Sequence, residues 1–206
     1  MKTVSSKVLR RIVEDLRDGC EVIIVCFGDS ITAGYGVTRG FPFYWKGMLQ
    51  SDYPDSRIDI INSGLSGDTT IDGLARLESD VLSHNPDLVT VNFGINDAVM
   101  GIDIEDFKKN EEKIVSLIQG ECGSEILLLS SPPLESSYHD KLMMRYNRAV
   151  AEVAGKMNVR FLNIYEAWIK RIQEGASNSS LILPGLDHPN EEGYKIIAEE
   201  IMNFFH

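Results

Sequence analysis

Residues 22–32 read Val-Ile-Ile-Val-Cys-Phe-Gly-Asp-Ser-Ile-Thr. The first six are apolar and rich in β-branched side chains, and a glycine closes them, which is typical of a buried strand followed by a tight turn. Ser30 is therefore expected just past the carboxyl end of a central strand, where open α/β sheets bind their ligands. A hydroxyl presented there beside main-chain N–H groups is a candidate nucleophile, although a serine that caps a helix gives the same local pattern.

The rest of the chain alternates predicted strands with predicted helices of ten residues or more. Apolar runs indicate further strands at about 57–62, 87–93, 125–130 and 159–164, and residues 181–190 are expected to form a loop before the last helix. Such alternation favours a parallel sheet with helices on both faces. The sequence therefore predicts an α/β protein, a doubly wound three-layer sandwich with a five-stranded parallel sheet. We expect one domain over residues 1–206, with residues 1–19 forming an N-terminal helix outside the motif-bearing region.

The composition is that of an acidic globular protein. The chain has 206 residues, of which 43% are hydrophobic and 25% charged, and its net charge of −11 disfavours nucleic acid and anionic membranes as partners. No apolar stretch approaches the length of a membrane span, and the first residues do not resemble a signal peptide, so we expect a cytoplasmic protein. The chain has three cysteines, Cys20, Cys26 and Cys122, and no two of them form a Cys-x-x-Cys pair. An odd number with this spacing indicates neither a disulfide framework nor a zinc site.

Polar and glycine-rich segments follow the first three predicted strands. Gly64–Asp68 follows the second strand, Gly94–Asp97 the third, and His188 precedes the last helix. Because strand-to-helix loops of a parallel sheet open on one edge, these segments should meet Ser30 in space. Acyl transfer needs such a set, namely a hydroxyl, an imidazole that takes its proton and donors for the oxyanion. Each segment alone has an ordinary structural explanation as a turn or a cap, but their order along the chain indicates a catalytic site.

The four segments resemble the motif blocks of a known family. Gly28-Asp29-Ser30-Ile31-Thr32, Gly64-Leu65-Ser66-Gly67-Asp68, Gly94-Ile95-Asn96-Asp97 and His188-Pro189-Asn190 are similar to the blocks of the SGNH hydrolases, also called the GDSL esterase/lipase family. The resemblance runs from Val22 to the C-terminus. It implies a flavodoxin-like SGNH fold and a serine esterase that uses no metal and no cofactor.

The resemblance also implies a role for each matching residue. Ser30 would be the nucleophile and His188 the general base and later the acid. The oxyanion donors would be the main-chain N–H groups of Ser30 and Gly67 and the side-chain amide of Asn96. Ser66 is a rival nucleophile, but no Gly-x-Ser-x-Gly elbow surrounds it.

One position departs from the family's pattern. The family usually carries Asp-x-x-His, but the residue three before His188 is Gly185, and an aspartate occurs only at Asp187. Three partners for the imidazole stay open: the Asp187 carboxylate reached through an unusual loop, a main-chain carbonyl near Gly185, or a distant carboxylate. The first would give a Ser30–His188–Asp187 triad and the second a Ser–His dyad.

The function that these observations favour is hydrolysis of small acyl esters through an acyl-serine intermediate. Arg39, Tyr44 and the segment 130–141 are the expected selectivity positions. A silent SGNH domain that binds a carbohydrate or acyl ligand is the alternative, since position 185 lacks the aspartate. A flavin or nucleotide binder of the same topology is disfavoured because neither Gly-x-Gly-x-x-Gly nor a P-loop pattern occurs.

Overall fold

The fold is organised around one parallel sheet. The computed structural model describes residues 8–134 and 137–206. Five strands form the sheet in the order β2-β1-β3-β4-β5: β1 (Glu21–Gly28), β2 (Arg57–Gly64), β3 (Leu88–Asn92), β4 (Glu125–Leu129) and β5 (Arg160–Leu162). The predicted five-stranded parallel α/β architecture is confirmed.

The register of the central strands decides where the polar loops meet. Strand β1 pairs along its whole length with β2, from Glu21 opposite Arg57 to Gly28 opposite Gly64. On its other side, Gly28 lies opposite Asn92 at the end of β3. The first three strands therefore end at the same level, and the chain leaves all three at one edge of the sheet.

Nine helices within the described residues accompany this sheet. They are α1 (Val8–Arg17), α2 (Ser30–Ala33), α3 (Phe41–Asp52), α4 (Thr70–Asp80), α5 (Ile95–Met100), α6 (Ile104–Glu121), α7 (Ser137–Met157), α8 (Ile164–Gln173) and α9 (Glu191–Met202). In that part of the chain, no helix combines the length and the apolar character needed to cross a bilayer.

Two large apolar clusters cover the two faces of the sheet. One gathers side chains of α1, α3 and α9, including Ile12, Trp45 and Ile197. The other gathers side chains of α4, α6 and α7, including Ile114 and Val150. This is the three-layer arrangement that the alternating pattern predicts, because each helix buries one apolar stripe against the sheet.

The structure differs from the sequence prediction in the segment before the last helix. Residues 181–190 were expected to be a plain loop, but they contain an antiparallel pair, β6 (Ile182–Leu183) and β7 (His188–Pro189). The loop prediction is wrong there because strands of two residues are too short to show an alternating apolar pattern. The hairpin matters for the site, since His188 is the first residue of β7.

Candidate active site

Ser30 and His188 form the centre of the site. Ser30 is the first residue of α2, and its Oγ lies 2.7 Å from Nε2 of His188. The preceding Asp29 caps α2, since its Oδ1 accepts a hydrogen bond of 2.9 Å from the main-chain N–H of Ile31. The serine hydroxyl is thus held at the start of a short helix, next to an imidazole that can take its proton.

Position 28 needs a glycine because neighbouring atoms lie too close to leave room for a Cβ atom. Its φ is not in the left-handed region. A Cβ atom at this position would lie 2.3 Å from Thr32 Oγ1 and 2.5 Å from the Asn92 carbonyl oxygen. Both distances are far below van der Waals contact. Only glycine therefore allows α2 to turn back over the end of β1 and present Ser30 at the edge of the sheet.

The second ring nitrogen of His188 is held by the main chain. Nδ1 makes a short hydrogen bond with the carbonyl oxygen of Leu186. With the Nδ1 proton donated to that carbonyl, Nε2 carries the lone pair that faces the Ser30 hydroxyl. The Tyr35 ring packs against the imidazole, with a centroid separation of 5.0 Å.

The conformation of the β6–β7 hairpin explains this contact. Gly185 and Asp187, on either side of Leu186, both adopt left-handed φ values, +72° and +50°. The Leu186 N–H donates to the Leu183 carbonyl, which closes the turn. This geometry corresponds to the second of the three sequence alternatives, a main-chain carbonyl near Gly185. A catalytic role for the Asp187 carboxylate stays a prediction.

The second and third motif loops lie beside Ser30. The loop after β2 is tied to β1, because the Leu65 N–H donates to the Gly28 carbonyl at 3.0 Å. Gly67 has a φ of +92°, and no atom lies within 4 Å of the place where its Cβ would be. The Asn96 side chain donates from Nδ2 to the Asp68 carbonyl at 2.8 Å, which joins α5 to this loop.

Three N–H groups of these segments are available to a ligand oxygen. Among the described residues, none accepts a hydrogen bond from the main-chain N–H of Ser30 or of Gly67. The amide of Asn96 has two N–H bonds, of which Asp68 engages one. The segments therefore offer two main-chain donors and one side-chain donor without bringing in a positive charge.

Three buried carboxyl groups lie behind the site. Burial raises the pKa of Asp29 to about 7, and the charges of Asp97 and Asp68 act in the same direction. Burial also raises the pKa of Asp97, although its side chain accepts hydrogen bonds from the Thr70 hydroxyl and N–H. The pKa of Glu111 on α6 rises to about 8 through burial and the nearby Asp97. Burial therefore shifts all three carboxyl groups towards their neutral forms.

Two of the expected selectivity positions, Arg39 and Tyr44, have defined side-chain partners. The Arg39 guanidinium lies over the Phe43 ring at 4.8 Å, and the Tyr44 hydroxyl donates to Glu191 at 3.0 Å. Within segment 130–141, residues 135–136 lie outside the described residues.

Ser66, the rival nucleophile, is exposed on the loop before Gly67. In the described ranges, no three His, Cys, Asp or Glu side chains are grouped as a metal site.

Sequence reasoning missed one side chain that contacts several of these segments. Arg76 on α4 lies 2.6 Å from the Asp68 carboxylate and 2.9 Å from the Gly28 carbonyl. Its sequence context shows only an arginine on an amphipathic helix, four residues before Asp80. The contacts with Gly28 and Asp68 depend on how α4 packs on the sheet, which no local pattern reports.

Known proteins are similar to this chain in sequence and in fold. The chain is 30% identical over 208 residues to an acetylxylan esterase of Geobacillus stearothermophilus, with 87% of this chain and 91% of that protein covered. It is 33% identical to an arylesterase of Vibrio mimicus over about half of each chain, 52% in both cases. The crystal structure of Axe2, an acetylxylan esterase from Geobacillus stearothermophilus, matches with a TM-score of 0.77 at 25% identity, covering 89% of this chain and 94% of that one.

The family model called GDSL-like lipase/acylhydrolase matches residues 26–196. This range includes Ser30, Gly67, Asn96 and His188, and it extends over well more than half of the chain. The resemblance inferred from the four motif blocks is therefore confirmed. The chain belongs to the GDSL-like lipase/acylhydrolase family.

Proposed function

We propose that this protein is a serine ester hydrolase that cleaves small acyl esters through an acyl-serine intermediate. The observation that carries the proposal is the 2.7 Å contact between Ser30 Oγ and His188 Nε2. A nucleophile and base within hydrogen-bond distance, with the base oriented by a third group, are the geometric requirement for this chemistry. Family membership and relatives named as esterases support the same reaction.

In the acylation step, His188 Nε2 takes the hydroxyl proton as Ser30 Oγ attacks the carbonyl carbon of the ester. The carbonyl oxygen becomes an oxyanion, which would accept hydrogen bonds from the N–H groups of Ser30 and Gly67 and from the Asn96 amide. Donors fixed in advance lower the barrier because they need no reorganisation as the charge develops. The imidazolium then returns the proton to the leaving alcohol, and the acyl group stays on Ser30.

In the deacylation step, a water molecule donates a proton to His188 Nε2 and its oxygen attacks the acyl carbon. The bond from the acyl carbon to Ser30 Oγ then breaks, the imidazolium returns the proton to Oγ, and the acid is released. Throughout the cycle the Leu186 carbonyl would keep the imidazole in the tautomer that presents Nε2 to Ser30. A carbonyl stabilises the imidazolium less than a carboxylate does, because it carries only a partial charge. The site would therefore work as a Ser–His dyad supported by the main chain.

The proposed substrates are esters with small acyl groups. Relatives are named acetylxylan esterase and arylesterase, and a third is named thioesterase 1/protease 1/lysophospholipase L1 of Escherichia coli. Gly67 is exposed, and no atom lies within 4 Å of the place where its Cβ would be, so there is room for a substrate beside this residue. The cytoplasmic location and the lack of a nucleic-acid partner stay predictions.

The test is hydrolysis of p-nitrophenyl esters from acetate to decanoate. We expect turnover by the wild-type protein and a loss of at least about 10³-fold in kcat for Ser30→Ala and for His188→Ala. Ser66→Ala is the matched control, since it removes a neighbouring serine hydroxyl that takes no part in the proposed chemistry. It should keep wild-type turnover.

Two outcomes would contradict the proposal. Equal turnover by the wild type and Ser30→Ala would mean that another group does the chemistry. No turnover of any ester by a folded wild-type protein would favour the alternative, a silent domain that binds a carbohydrate or acyl ligand. Circular dichroism and thermal unfolding of each variant separate a loss of chemistry from a loss of fold.

A further inference from the structure

Arg76 makes four polar contacts beside the motif loops. Its Nε lies 2.6 Å from the Asp68 carboxylate, and its Nη2 donates to the Gly28 carbonyl at 2.9 Å. Its Nη1 donates to the Ser63 carbonyl at 2.8 Å and to Asp80 at 3.0 Å. The side chain is 14% exposed, so water competes little for these contacts.

Two of these contacts, with Gly28 and Asp68, connect Arg76 to the three donors that the proposed function assigns to the oxyanion. Gly28, whose carbonyl Arg76 holds, lies two residues before Ser30. Asp68, whose carboxylate Arg76 holds, directly follows Gly67. The carbonyl of the same Asp68 accepts the hydrogen bond of the Asn96 side chain at 2.8 Å. One guanidinium therefore joins the backbone segments of all three donors.

Arginine has the shape that this position needs. Its planar guanidinium presents several N–H groups in fixed directions, so that it binds two carbonyls and two carboxylates at once. The face of the group lies over the Phe27 ring of β1, 4.6 Å from the ring centroid. A lysine keeps the charge but has one ammonium group and no plane, so it cannot hold all of these partners.

We propose that Arg76 is a positioning residue for the oxyanion site, and this inference rests on the proposed function. It sets the distances between the N–H groups of Ser30 and Gly67 and the Asn96 amide by fixing the ends of β1 and β2 and the loop after β2. It does not touch the substrate. Its loss should therefore weaken binding of the transition state, where the oxyanion exists, more than binding of the ester itself.

The experiment compares Arg76→Lys with the wild type and with Arg171→Lys. Arg171 is also paired with a carboxylate, Glu199, but on α8 and α9. For p-nitrophenyl acetate we expect Arg76→Lys to lower kcat by about 10- to 100-fold, the size of effect that misplaced groups produce, with KM little changed. Arg171→Lys should match the wild type.

A second readout separates oxyanion binding from general damage. Phenylboronic acid forms a tetrahedral anion on a serine nucleophile and so imitates the charged intermediate. Its inhibition constant should rise in Arg76→Lys by about the factor by which kcat/KM falls. Unchanged kcat, or lowered kcat with unchanged boronate inhibition, would overturn the inference.

Asp68→Asn is the second variant, in case Arg76→Lys does not fold. It keeps the carbonyl that Asn96 binds but weakens the anchor that Arg76 uses, and it should reduce kcat and boronate inhibition together. If Asp68→Asn folds and keeps both, the inference is wrong. Failure of the proposed function looks different, because then the wild type itself shows no Ser30-dependent turnover.

Discussion

The two halves of the site are built in different ways. The half that would bind the oxyanion draws on the sheet edge and on buried polar groups, with Arg76 and Asp68 mostly enclosed. The half that would move the proton consists of His188 on a hairpin whose strands are two residues long, next to the exposed Leu186. The first half is anchored to buried polar groups, and the second is attached to the surface of the fold.

The difference shows how the two tasks depend on their surroundings. Stabilising an oxyanion requires several donors to keep fixed mutual distances, which a packed interior provides. Moving a proton requires one nitrogen near one oxygen and a partner that fixes the tautomer, and a single main-chain carbonyl supplies that partner. We therefore expect substitutions to be costly in the first half when they loosen the interior, and in the second half only when they change the imidazole.

Apart from loss of Ser30 or His188 itself, the largest effect that tests this comparison is expected for Asn96→Ala. The substitution removes one oxyanion donor, and kcat should fall by about 10²- to 10³-fold, with KM little changed. The measurement is steady-state hydrolysis of p-nitrophenyl acetate. Asn203→Ala, at the end of α9, removes the same kind of side chain far from the motif loops and should have no effect. A loss of less than a few-fold in Asn96→Ala would mean that the amide is not a donor.

An effect of another kind, on stability, is expected from Glu111, which is buried on α6. Its pKa is raised from 4.5 to about 8, so the folded protein keeps a proton that the unfolded chain loses above its ordinary pKa. The free energy of unfolding should therefore fall as the pH rises from about 4.5 to 8, by about 1.4 kcal/mol per pH unit for this group. In Glu111→Gln this slope should be absent, so that the variant becomes more stable than the wild type towards pH 8.

Urea unfolding at pH 5, 6, 7 and 8 measures this difference. Glu121→Gln is the matched control, because Glu121 lies on the same helix but is exposed. Its unfolding free energy should follow that of the wild type at every pH. If the unfolding free energies of the wild type and Glu111→Gln change with pH in the same way, Glu111 is ionised in the folded protein. The inference that its carboxyl group is protonated would then be wrong.

The smallest effect is expected for Asp187→Asn in the exposed half. The Leu186 carbonyl already binds Nδ1 of His188, so kcat/KM should stay near the wild-type value across the pH range. Asparagine adopts left-handed φ values as readily as aspartate, so the backbone at this position is not strained by the change. A loss of tenfold or more would identify Asp187 as the third catalytic group and would overturn the dyad.

Much of the fold could be predicted because its signals are local. The apolar run before Gly28 and the helical stripes predict the parallel sheet and its order of elements, and the structure confirms them. Helix α2 has only four residues, and β6 and β7 have two each, so none is long enough to show a periodic pattern. That residues 1–206 form one domain stays a prediction.

The residues of the candidate site also differ in whether the sequence reveals them. Ser30, Gly67, Asn96 and His188 could be named from the sequence because their side chains, or the lack of one, are the functional feature. The Leu186 carbonyl carries no signature, since every residue has a carbonyl, and only the backbone angles on either side direct it to the ring. Arg76 was missed because its partners are reached through the packing of α4 on the sheet.

The two left-handed residues around Leu186 also bear on how this enzyme could change in evolution. Restoring the family's usual aspartate at Gly185 would place a side chain on a backbone with φ of +72°, in a hairpin whose carbonyl already occupies the Nδ1 side of the imidazole. The new carboxylate would compete with that carbonyl for Nδ1 of His188. The step from the proposed dyad to a triad would therefore involve the main chain of the hairpin as well as the side chain at position 185.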